Sequence, residues 1–442
     1  MPEFTLHFPL DFRWGTATSA HQVEGNNTNN DWWRWEQEEG HILRGHRSGR
    51  ACDWWERAEE DFDRAAAMHQ NAHRLSVEWS RIEPQDGVWD EAALERYRTM
   101  VQGLRQRGIE PMVTLHHFTN PLWLADMGGW EREEVVIPRF RRFVRRVVEA
   151  LGDLVDLWCT LNEMNVYAVQ GYLMGVWPPG KRDFGLTMRV LRTMLRAHAA
   201  AYEAIHQVQP EARVGIAHAM IIFDPANPGS PLDRWAARQQ DKLFNQAILD
   251  ALLRGRLPLL GGGPFLRGVR GTLDWIGLNY YTRRMVAFDR REAKALFGRN
   301  FIKEGAEQSD GGYGEVYPKG LFRLLRRLSR YGLPLYVTEN GLPDADDDQR
   351  PRFLITHLRQ LWKALQGNVP VYGYYHWSLV DNFEWAEGWT LRFGLIEVDP
   401  ETQERRMRPS GELYGEICRA NAITHEMVAR YAPEVMEKLF PG

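Results

Sequence analysis

The sequence predicts an α/β protein, a single (β/α)8 TIM barrel with its active site at the C-terminal ends of the strands. Eight apolar runs, rich in β-branched and aromatic residues, alternate with eight amphipathic stretches. Near-continuous apolarity is typical of parallel strands buried on both faces, and the alternation indicates βαβ units. Eight such units close a barrel. A doubly wound open sheet is the alternative, weakened because no Gly-x-Gly-x-x-Gly pattern follows the first run.

The predicted strands are the apolar runs themselves. Their order along the chain is that of the barrel, because consecutive βα units place neighbouring strands side by side. They are Phe12–Ala20, Arg74–Trp79, Pro111–His117, Leu157–Glu163, Val214–Met220, Leu273–Tyr281, Leu335–Asn340 and Val371–Leu379.

The predicted helices lie after the runs. In Trp55–Gln70, apolar side chains recur at helical spacing. Glu91–Gly108 ends in glycine, which is a natural helix stop. The other helices are predicted at Pro138–Leu151, Thr187–Gln207, Leu232–Leu253, Gly320–Tyr331, Gln349–Gln366 and Ser410–Tyr431.

No Ser/Gly/Pro-rich linker divides the chain, so we expect one domain over residues 1–442. A prior of roughly 150 residues per domain would suggest more domains, but α/β barrels run larger. Phe223–Pro231 and Gly261–Pro264 are predicted loops. The segment Phe288–Gly314 follows the sixth strand, so we assign it to a loop on the active-site face. The acidic turn Asp344–Asp348 is interpreted as a solvated helix start.

Composition excludes several classes of partner. The 442 residues carry a net charge of −4 with both signs well mixed, whereas nucleic-acid binders have a basic patch or stripe. The N-terminus lacks the basic start and apolar core of a signal peptide, and no apolar stretch is long enough to span a membrane. The three cysteines are far apart and match no disulfide framework or zinc site. We expect a cytoplasmic protein with no nucleic-acid or membrane partner.

Two glutamates, Glu163 and Glu339, end the fourth and seventh runs, each with a Thr shortly before it and an Asn beside it. In a barrel these strand ends face one another across the mouth. Two carboxylates presented in this way are what glycosidic bond cleavage requires. Either glutamate alone has a simpler interpretation as a salt-bridged strand-end residue, but their matched contexts favour catalysis. Their separation, about 5 Å in retaining enzymes and about 6.5–9.5 Å in inverting ones, is open at this point.

The motifs around these glutamates resemble the two signatures of glycoside hydrolase family 1, the β-glucosidase family. Further motifs agree in the same order, so the resemblance spans about residues 8–420. The matching segments are Phe12–Gly25, His73–Ile82, Thr160–Glu163, Leu278–Tyr281, Val337–Gly341 and His376–Trp385.

The resemblance implies a role for each matching residue. Glu163 would be the acid/base and Glu339 the nucleophile, with Arg74 and Tyr281 contacting the nucleophile and Asn279 supporting Glu163. The substrate-binding set that the resemblance implies is Gln22, His117, Asn162, Trp377, Glu384 and Trp385. No His-x-His pair marks a metal site, so we expect no metal and no cofactor.

The implied activity is that of a retaining exo-β-glycosidase, a β-glucosidase with β-galactosidase and β-fucosidase side activity. Terminal β-D-glucosyl residues of small-molecule β-glucosides or short β-linked oligosaccharides would be removed by double displacement through a glycosyl-enzyme intermediate. A transglycosidase would use the same residues with an acceptor in place of water. The sequence also leaves open a non-catalytic sugar-binding barrel and a metal-dependent barrel hydrolase.

The chain departs from the family pattern at three places. Met164 stands where the family usually has Pro after the acid/base, and Phe118 where Trp often follows the sugar-binding His. The Trp common on the leaving-group side is absent from Tyr313–Pro318. We expect an altered leaving-group site in which Tyr313 or Trp177 provides the aromatic platform.

Overall fold

A computed structural model describes residues 5–257 and 265–439 of the chain. Eight parallel strands form a closed barrel, so the predicted fold class is confirmed. They are β1 (Arg13–Ala17), β2 (Ala72–Ser76), β3 (Glu110–Thr114), β4 (Leu157–Asn162), β5 (Arg213–Pro225), β6 (Trp275–Phe288), β7 (Leu335–Asn340) and β8 (Val371–Trp377). Each strand pairs with the next in the chain, and β8 pairs with β1 to close the barrel.

Long helices cover the outside of the barrel. They are α1 (Trp54–Ala67), α2 (Glu91–Gln106), α3 (Glu133–Leu151), α4 (Phe184–Val208), α5 (Pro231–Asp241), α6 (Ala247–Arg254), α7 (Pro318–Leu328), α8 (Arg350–Gln366), α9 (Pro409–Ala420) and α10 (His425–Tyr431). Shorter helices span Ala20–Val23, Asp31–Glu36, Trp79–Ile82, Leu122–Asp126, Met164–Ala168 and Met436–Leu439, and π-helical turns span Val169–Met174 and Lys242–Gln246. Among the described helices, none has the length and apolarity that a bilayer crossing requires.

The barrel interior is a packed core. Side chains that the strands direct inward form one buried cluster, distinct from the larger apolar layer between strands and helices. The inward cluster includes Ala17, Ala72, Met112, Leu157, Cys159, Ala217, Trp275, Tyr336, Tyr375 and Trp377. Most of these side chains lie below the strand ends, so the polar side chains at the mouth pack on a closely packed apolar layer.

Strands β5 and β6 are longer than predicted because they keep pairing with each other above the barrel. Phe223 lies opposite Arg284 and Pro225 opposite Val286 in this ribbon. A short strand, Gly298–Phe301, adds to its edge in antiparallel orientation. The predicted loop over Phe223–Pro231 therefore starts only after β5 ends, while Gly261–Pro264 lies outside the described residues. The segment Phe288–Gly314, predicted as a loop on the active-site face, follows this ribbon and contains the strand Gly298–Phe301.

One helical expectation was wrong. The helix predicted over Ser410–Tyr431 is interrupted at Asn421, which adopts a left-handed conformation with φ 48°. Its amide donates to the carbonyls of Phe8 and Pro9. The next residues, Ala422–Thr424, then pair with the N-terminal strand Thr5–His7, so tertiary pairing overrides local helix propensity. The segment Leu232–Leu253 is helical throughout, as predicted, with the π-helical turn Lys242–Gln246 between α5 and α6.

The acidic turn before α8 is only partly solvated. Asp344 and Asp347 are buried. Asp344 accepts hydrogen bonds from the backbone N–H groups of Gln349 and Arg350, at 2.9 and 2.7 Å. Asp347 accepts from the backbone N–H and the hydroxyl of Ser410. These carboxylates therefore cap the start of α8 and tie it to α9, which the sequence pattern did not indicate.

Gly341, directly after β7, lies where the barrel backbone is too close for any side chain. A Cβ atom there would lie 2.0 Å from the carbonyl oxygen of Trp377 in β8. We expect Gly341→Ala to lower the melting temperature, because overpacking of this kind costs about 1–3 kcal/mol. In Gly103→Ala, the matched control within α2, the new methyl would meet only side-chain atoms, at 3.5 Å or more. We expect this control to keep or raise the melting temperature, and equal melting of both variants would contradict the argument.

Candidate active site

The barrel brings both predicted catalytic glutamates to one end. Glu339 lies in β7, and Glu163 follows β4 with a left-handed backbone, φ 44°, before the short helix that starts at Met164. The two carboxylates are almost entirely buried. Register between β6 and β7 places Asn279 opposite Glu339, so polar side chains of neighbouring strands share the mouth.

Glu339 accepts a hydrogen bond on each carboxylate oxygen. The Arg74 guanidinium donates through Nη1 to Oε1 at 2.5 Å, and the Tyr281 hydroxyl donates to Oε2 at 2.6 Å. Arg74 is completely buried and makes this ion pair inside the barrel mouth. A cationic donor and a phenol together fix the orientation of the Glu339 carboxylate.

Glu163, in contrast, accepts its hydrogen bond from a neutral group. Its oxygen Oε1 accepts a hydrogen bond from the Asn279 amide at 2.8 Å. Burial, together with the negative charge of Glu339, raises the pKa of Glu163 to about 8, although Asn279 and Arg74 oppose this shift. Glu163 therefore keeps its proton at neutral pH and is suited to donate it.

A polar bridge connects the two glutamates. Asn162 Oδ1 accepts from Arg74 Nη2 at 2.7 Å and from Asn279 Nδ2 at 3.2 Å. The hydroxyl of Thr338 donates to Asn279 Oδ1 at 2.6 Å, which fixes the orientation of that amide. Because every member touches its neighbour, a displacement of one side chain would alter the positions of both carboxylates.

His117 is held as a neutral donor. Its Nε2 atom lies 3.1 Å from Asn162 Nδ2, an N–H donor, so Nε2 accepts and the proton is assigned to Nδ1. Burial, reinforced by the charge of Arg74, lowers the pKa of His117 well below its usual value. Within the described part of the chain, the buried Nδ1 atom has no hydrogen-bond partner. The ring thus offers one unused N–H to a ligand.

The other wall joins Gln22 and Glu384. Gln22 Nε2 donates to Glu384 Oε2 at 3.1 Å, while Ser19 donates to Gln22 Oε1 at 2.6 Å. Burial and then the charge of Glu339 raise the pKa of Glu384 to about 8. The Trp377 and Trp385 rings each stack with His117 at 6.0 Å between centroids. Hydrogen-bonding groups and flat aromatic faces therefore alternate around one space.

This space is a pocket of about 400 Å³ at the barrel mouth. Most predicted site residues line it: His117, Glu163, Asn279, Tyr281, Glu339, Trp377, Glu384 and Trp385. Arg74, Asn162 and Gln22 are fully buried and contact the lining residues from behind. The structure thus brings the whole predicted set together in two layers.

The sequence patterns did not point to several residues of the site. Thr114 accepts from Arg74 Nε at 3.0 Å, and Thr338 orients Asn279. Thr338 directly precedes Glu339, so its position in the motif was an available signal. The pocket is also lined by Val166, Val169, Gln170, Ile221, Phe244 and Arg284. Ile221 and Arg284 belong to the part of the β5–β6 ribbon that the apolar runs did not include.

The family assignment follows from comparison with known proteins. The model of glycosyl hydrolase family 1 matches residues 4–261 and 265–423. The chain belongs to this family.

Relatives of this glycosyl hydrolase family 1 chain cover nearly its whole length. Beta-glucosidase A of Thermotoga maritima is 33% identical, over 94% of this chain and 98% of the relative. A beta-galactosidase of Sulfolobus acidocaldarius is also 33% identical, with 96% and 97% covered. The solved structure of a beta-glycosidase from Pyrococcus horikoshii has a TM-score of 0.91 and 41% identity, covering 97% of this chain and 98% of that one.

The departures from the family pattern all lie around the pocket. Met164 is buried and begins the short helix after Glu163. Phe118 packs against Trp177 and Trp385, with centroids 4.9 and 5.2 Å away, so its ring supports the wall. Both proposed aromatic platforms, Trp177 and Tyr313, line the pocket, as the expectation of an altered leaving-group site requires.

We expect Glu339→Gln to lower the pKa of Glu163, because the substitution removes the negative charge that disfavours ionisation there. Isotope-edited infrared titration follows the carboxyl band of Glu163. This band is identified because the variant Glu163→Gln lacks it. Glu315→Gln is the matched control, because Glu315 pairs with Arg283 instead and does not contribute to the shift of Glu163. An unchanged pKa of Glu163 in Glu339→Gln would refute the electrostatic division between the two glutamates.

Proposed function

We propose that this chain is a retaining exo-β-glycosidase, a β-glucosidase with β-galactosidase and β-fucosidase side activity. The observation that carries the proposal is the inequality of the two buried glutamates. One carboxylate accepts from a cation and a phenol, while the other has its pKa raised to about 8. A nucleophile and a proton donor in one pocket are the requirements of double displacement. The family relationship supports the same assignment.

In the proposed first step, Glu339 attacks the anomeric carbon of a terminal β-glucosyl residue. The bond from that carbon to the leaving-group oxygen breaks, and Glu163 protonates the oxygen. A covalent glycosyl-enzyme ester on Glu339 results. Arg74 and Tyr281 would hold the attacking carboxylate in position through their hydrogen bonds.

In the second step, Glu163 is a carboxylate and acts as a general base. It takes a proton from a water molecule, whose oxygen attacks the anomeric carbon and releases Glu339. Two inversions give net retention of the β configuration. Burial is the largest cause of the raised pKa of Glu163, and the negative charge of Glu339 is the next. Because Glu339 loses that charge in the ester, Glu163 is more readily ionised when base chemistry is needed.

Sugar recognition is assigned to the alternating polar and aromatic wall. His117 would donate its unused Nδ1–H to a hydroxyl group, and Glu384 would bind hydroxyls beside it. Trp377 would support the ring face, with Trp385 beside it. Asn162 would use its remaining amide N–H for the 2-hydroxyl. Gln22 lies behind the lining and both ends of its amide already have partners, so it would act by orienting Glu384.

Transglycosylation is the second candidate, because it uses the same residues with a sugar acceptor in place of water. Product analysis with a good acceptor separates the two activities. The proposed substrates are small-molecule β-glucosides or short β-linked oligosaccharides. A single domain over residues 1–442 and a cytoplasmic location stay predictions from the sequence.

For the acid/base, we expect Glu163→Ala to lower kcat/KM on unactivated glucosides by about 10²–10⁴-fold, since general acid catalysis is worth that much. A dinitrophenyl β-glucoside needs little protonation, so its burst of released phenol should persist while turnover slows. Azide should restore turnover by attacking the intermediate without a base. An equal loss on both substrate types, with no azide effect, would contradict the assigned role.

For the nucleophile, we expect Glu339→Gly to abolish hydrolysis and to synthesise glycosides from an α-glucosyl fluoride and an acceptor. The fluoride mimics the configuration of the intermediate, and Glu163 still activates the acceptor. Chromatographic product analysis measures synthesis, and Glu315→Gly is a control outside the proposed machinery. Wild-type hydrolysis by Glu339→Gly would show that another group is the nucleophile.

A further inference from the structure

The pocket has a distinct leaving-group side beyond Glu163. Because an acid must reach the leaving-group oxygen, the residues that continue past Glu163 border the space that the leaving group occupies. The walls there include the apolar, partly exposed side chains of Val166, Val169, Ile221 and Phe244, with the polar Gln170 beside Val169. Tyr313 completes them from the segment after β6. A flat apolar group fits this surface better than a second fully hydrated sugar does.

One cationic side chain, that of Arg284, lies among these apolar residues. Arg284 lies on the part of β6 that extends above the barrel, and it lines the pocket. Its guanidinium makes one hydrogen bond, from Nη2 to the backbone carbonyl of Tyr313 at 3.0 Å. It forms no ion pair with any carboxylate in the described ranges 5–257 and 265–439. Most of its donor groups are therefore available to a ligand.

The neighbouring Arg283 shows what a structural arginine does on the same strand. Successive residues of a strand point to opposite faces. Arg283 forms ion pairs with Glu315 at 2.5 Å and with Asp224 at 3.4 Å, and lies over the Tyr317 ring. Arg284 faces the pocket without such compensation. The contrast indicates that Arg284 serves a ligand and not the packing of the ribbon.

Electrostatics agree with this geometry. Burial lowers the pKa of Arg284, and Tyr313 and Glu315 only partly offset the effect. A partly buried cation without a directly paired carboxylate is a cost to the folded protein. A bound anion would remove that cost, and a guanidinium matches the planar geometry of a carboxylate.

We propose that Arg284 binds the carboxylate of an aromatic leaving group, so that the enzyme prefers aryl β-glucosides bearing an acid on the ring. The apolar side chains contact the two faces of the aryl ring, and the guanidinium binds the carboxylate at the far end of the ring. This inference rests on the proposed glycosidase function, which supplies the reaction. Arg284 acts in recognition and takes no part in bond breaking.

The test compares two matched substrates, 4-carboxyphenyl β-D-glucoside and its methyl ester, by kcat/KM for the wild type and Arg284→Met. The readout is kcat/KM for the acid divided by kcat/KM for the ester. Comparing this ratio between variants cancels the different leaving-group abilities of the two phenols. We expect Arg284→Met to lower this ratio by about tenfold or more, the usual value of a charge-assisted hydrogen bond. Arg284→Lys should keep part of the preference.

Arg330→Met is the matched control, because Arg330 is exposed and lies far along the chain after α7. Its acid-to-ester ratio should equal that of the wild type. If Arg284→Met lowers both substrates in equal proportion, or leaves the ratio unchanged, the proposal is wrong.

The wild type alone provides a second measurement if Arg284→Met does not fold. Added salt should lower kcat/KM for the acid more than for the ester, since it screens the guanidinium–carboxylate attraction. An equal salt response would overturn the inference. Lack of turnover of the ester by the wild type would instead refute the proposed glycosidase function, so the two failures are distinguishable.

Discussion

The ion pair between Arg74 and Glu339 is the interaction on which the site depends. Both groups are buried, so neither charge could stay without the other or without further hydrogen bonds. Arg74 satisfies this condition with contacts to Thr114 and Asn162 as well as to Glu339. Removing one partner of such a pair typically costs about 3–5 kcal/mol. The barrel strands must therefore be in register before the charge can be accommodated, which couples the geometry of the site to completion of the fold.

The same charge also separates the roles of the two glutamates. A negative Glu339, held by Arg74 and Tyr281, is one of the causes that raise the pKa of Glu163, after burial itself. Substrate enters a pocket whose polar groups are already oriented by residues behind the wall. Preorganisation of this kind lowers the reorganisation needed in the transition state. Asn162 and Asn279 connect the two halves, so the proposed acid and the proposed nucleophile are positioned as one unit.

The barrel, and the grouping of the candidate site residues at its mouth, could be predicted from the sequence, because both depend on strong local patterns. Strands buried on two faces are apolar throughout, and Glu163 and Glu339 end two of them within recognisable motifs. What escaped prediction depends on tertiary contacts. The strand at Ala422–Thr424 exists only because Thr5–His7 pairs with it, and β5 and β6 continue past their apolar runs because they pair with each other. No sequence pattern distinguishes Arg284 from its neighbour Arg283, which has the same side chain but forms ion pairs within the structure.

The β5–β6 ribbon has a consequence for how this enzyme could diversify. It rises above the barrel and carries part of the proposed leaving-group wall, while Glu163, Glu339 and the proposed sugar-binding wall are anchored on other strand ends and their loops. Exchanging the ribbon for that of another family member would transplant a preference for leaving groups and leave the reacting atoms where they are. Substitutions in the ribbon could thus change the aglycone preference with little effect on turnover. On the proposed assignments, the residues that bind the aglycone can change separately from those that break the bond.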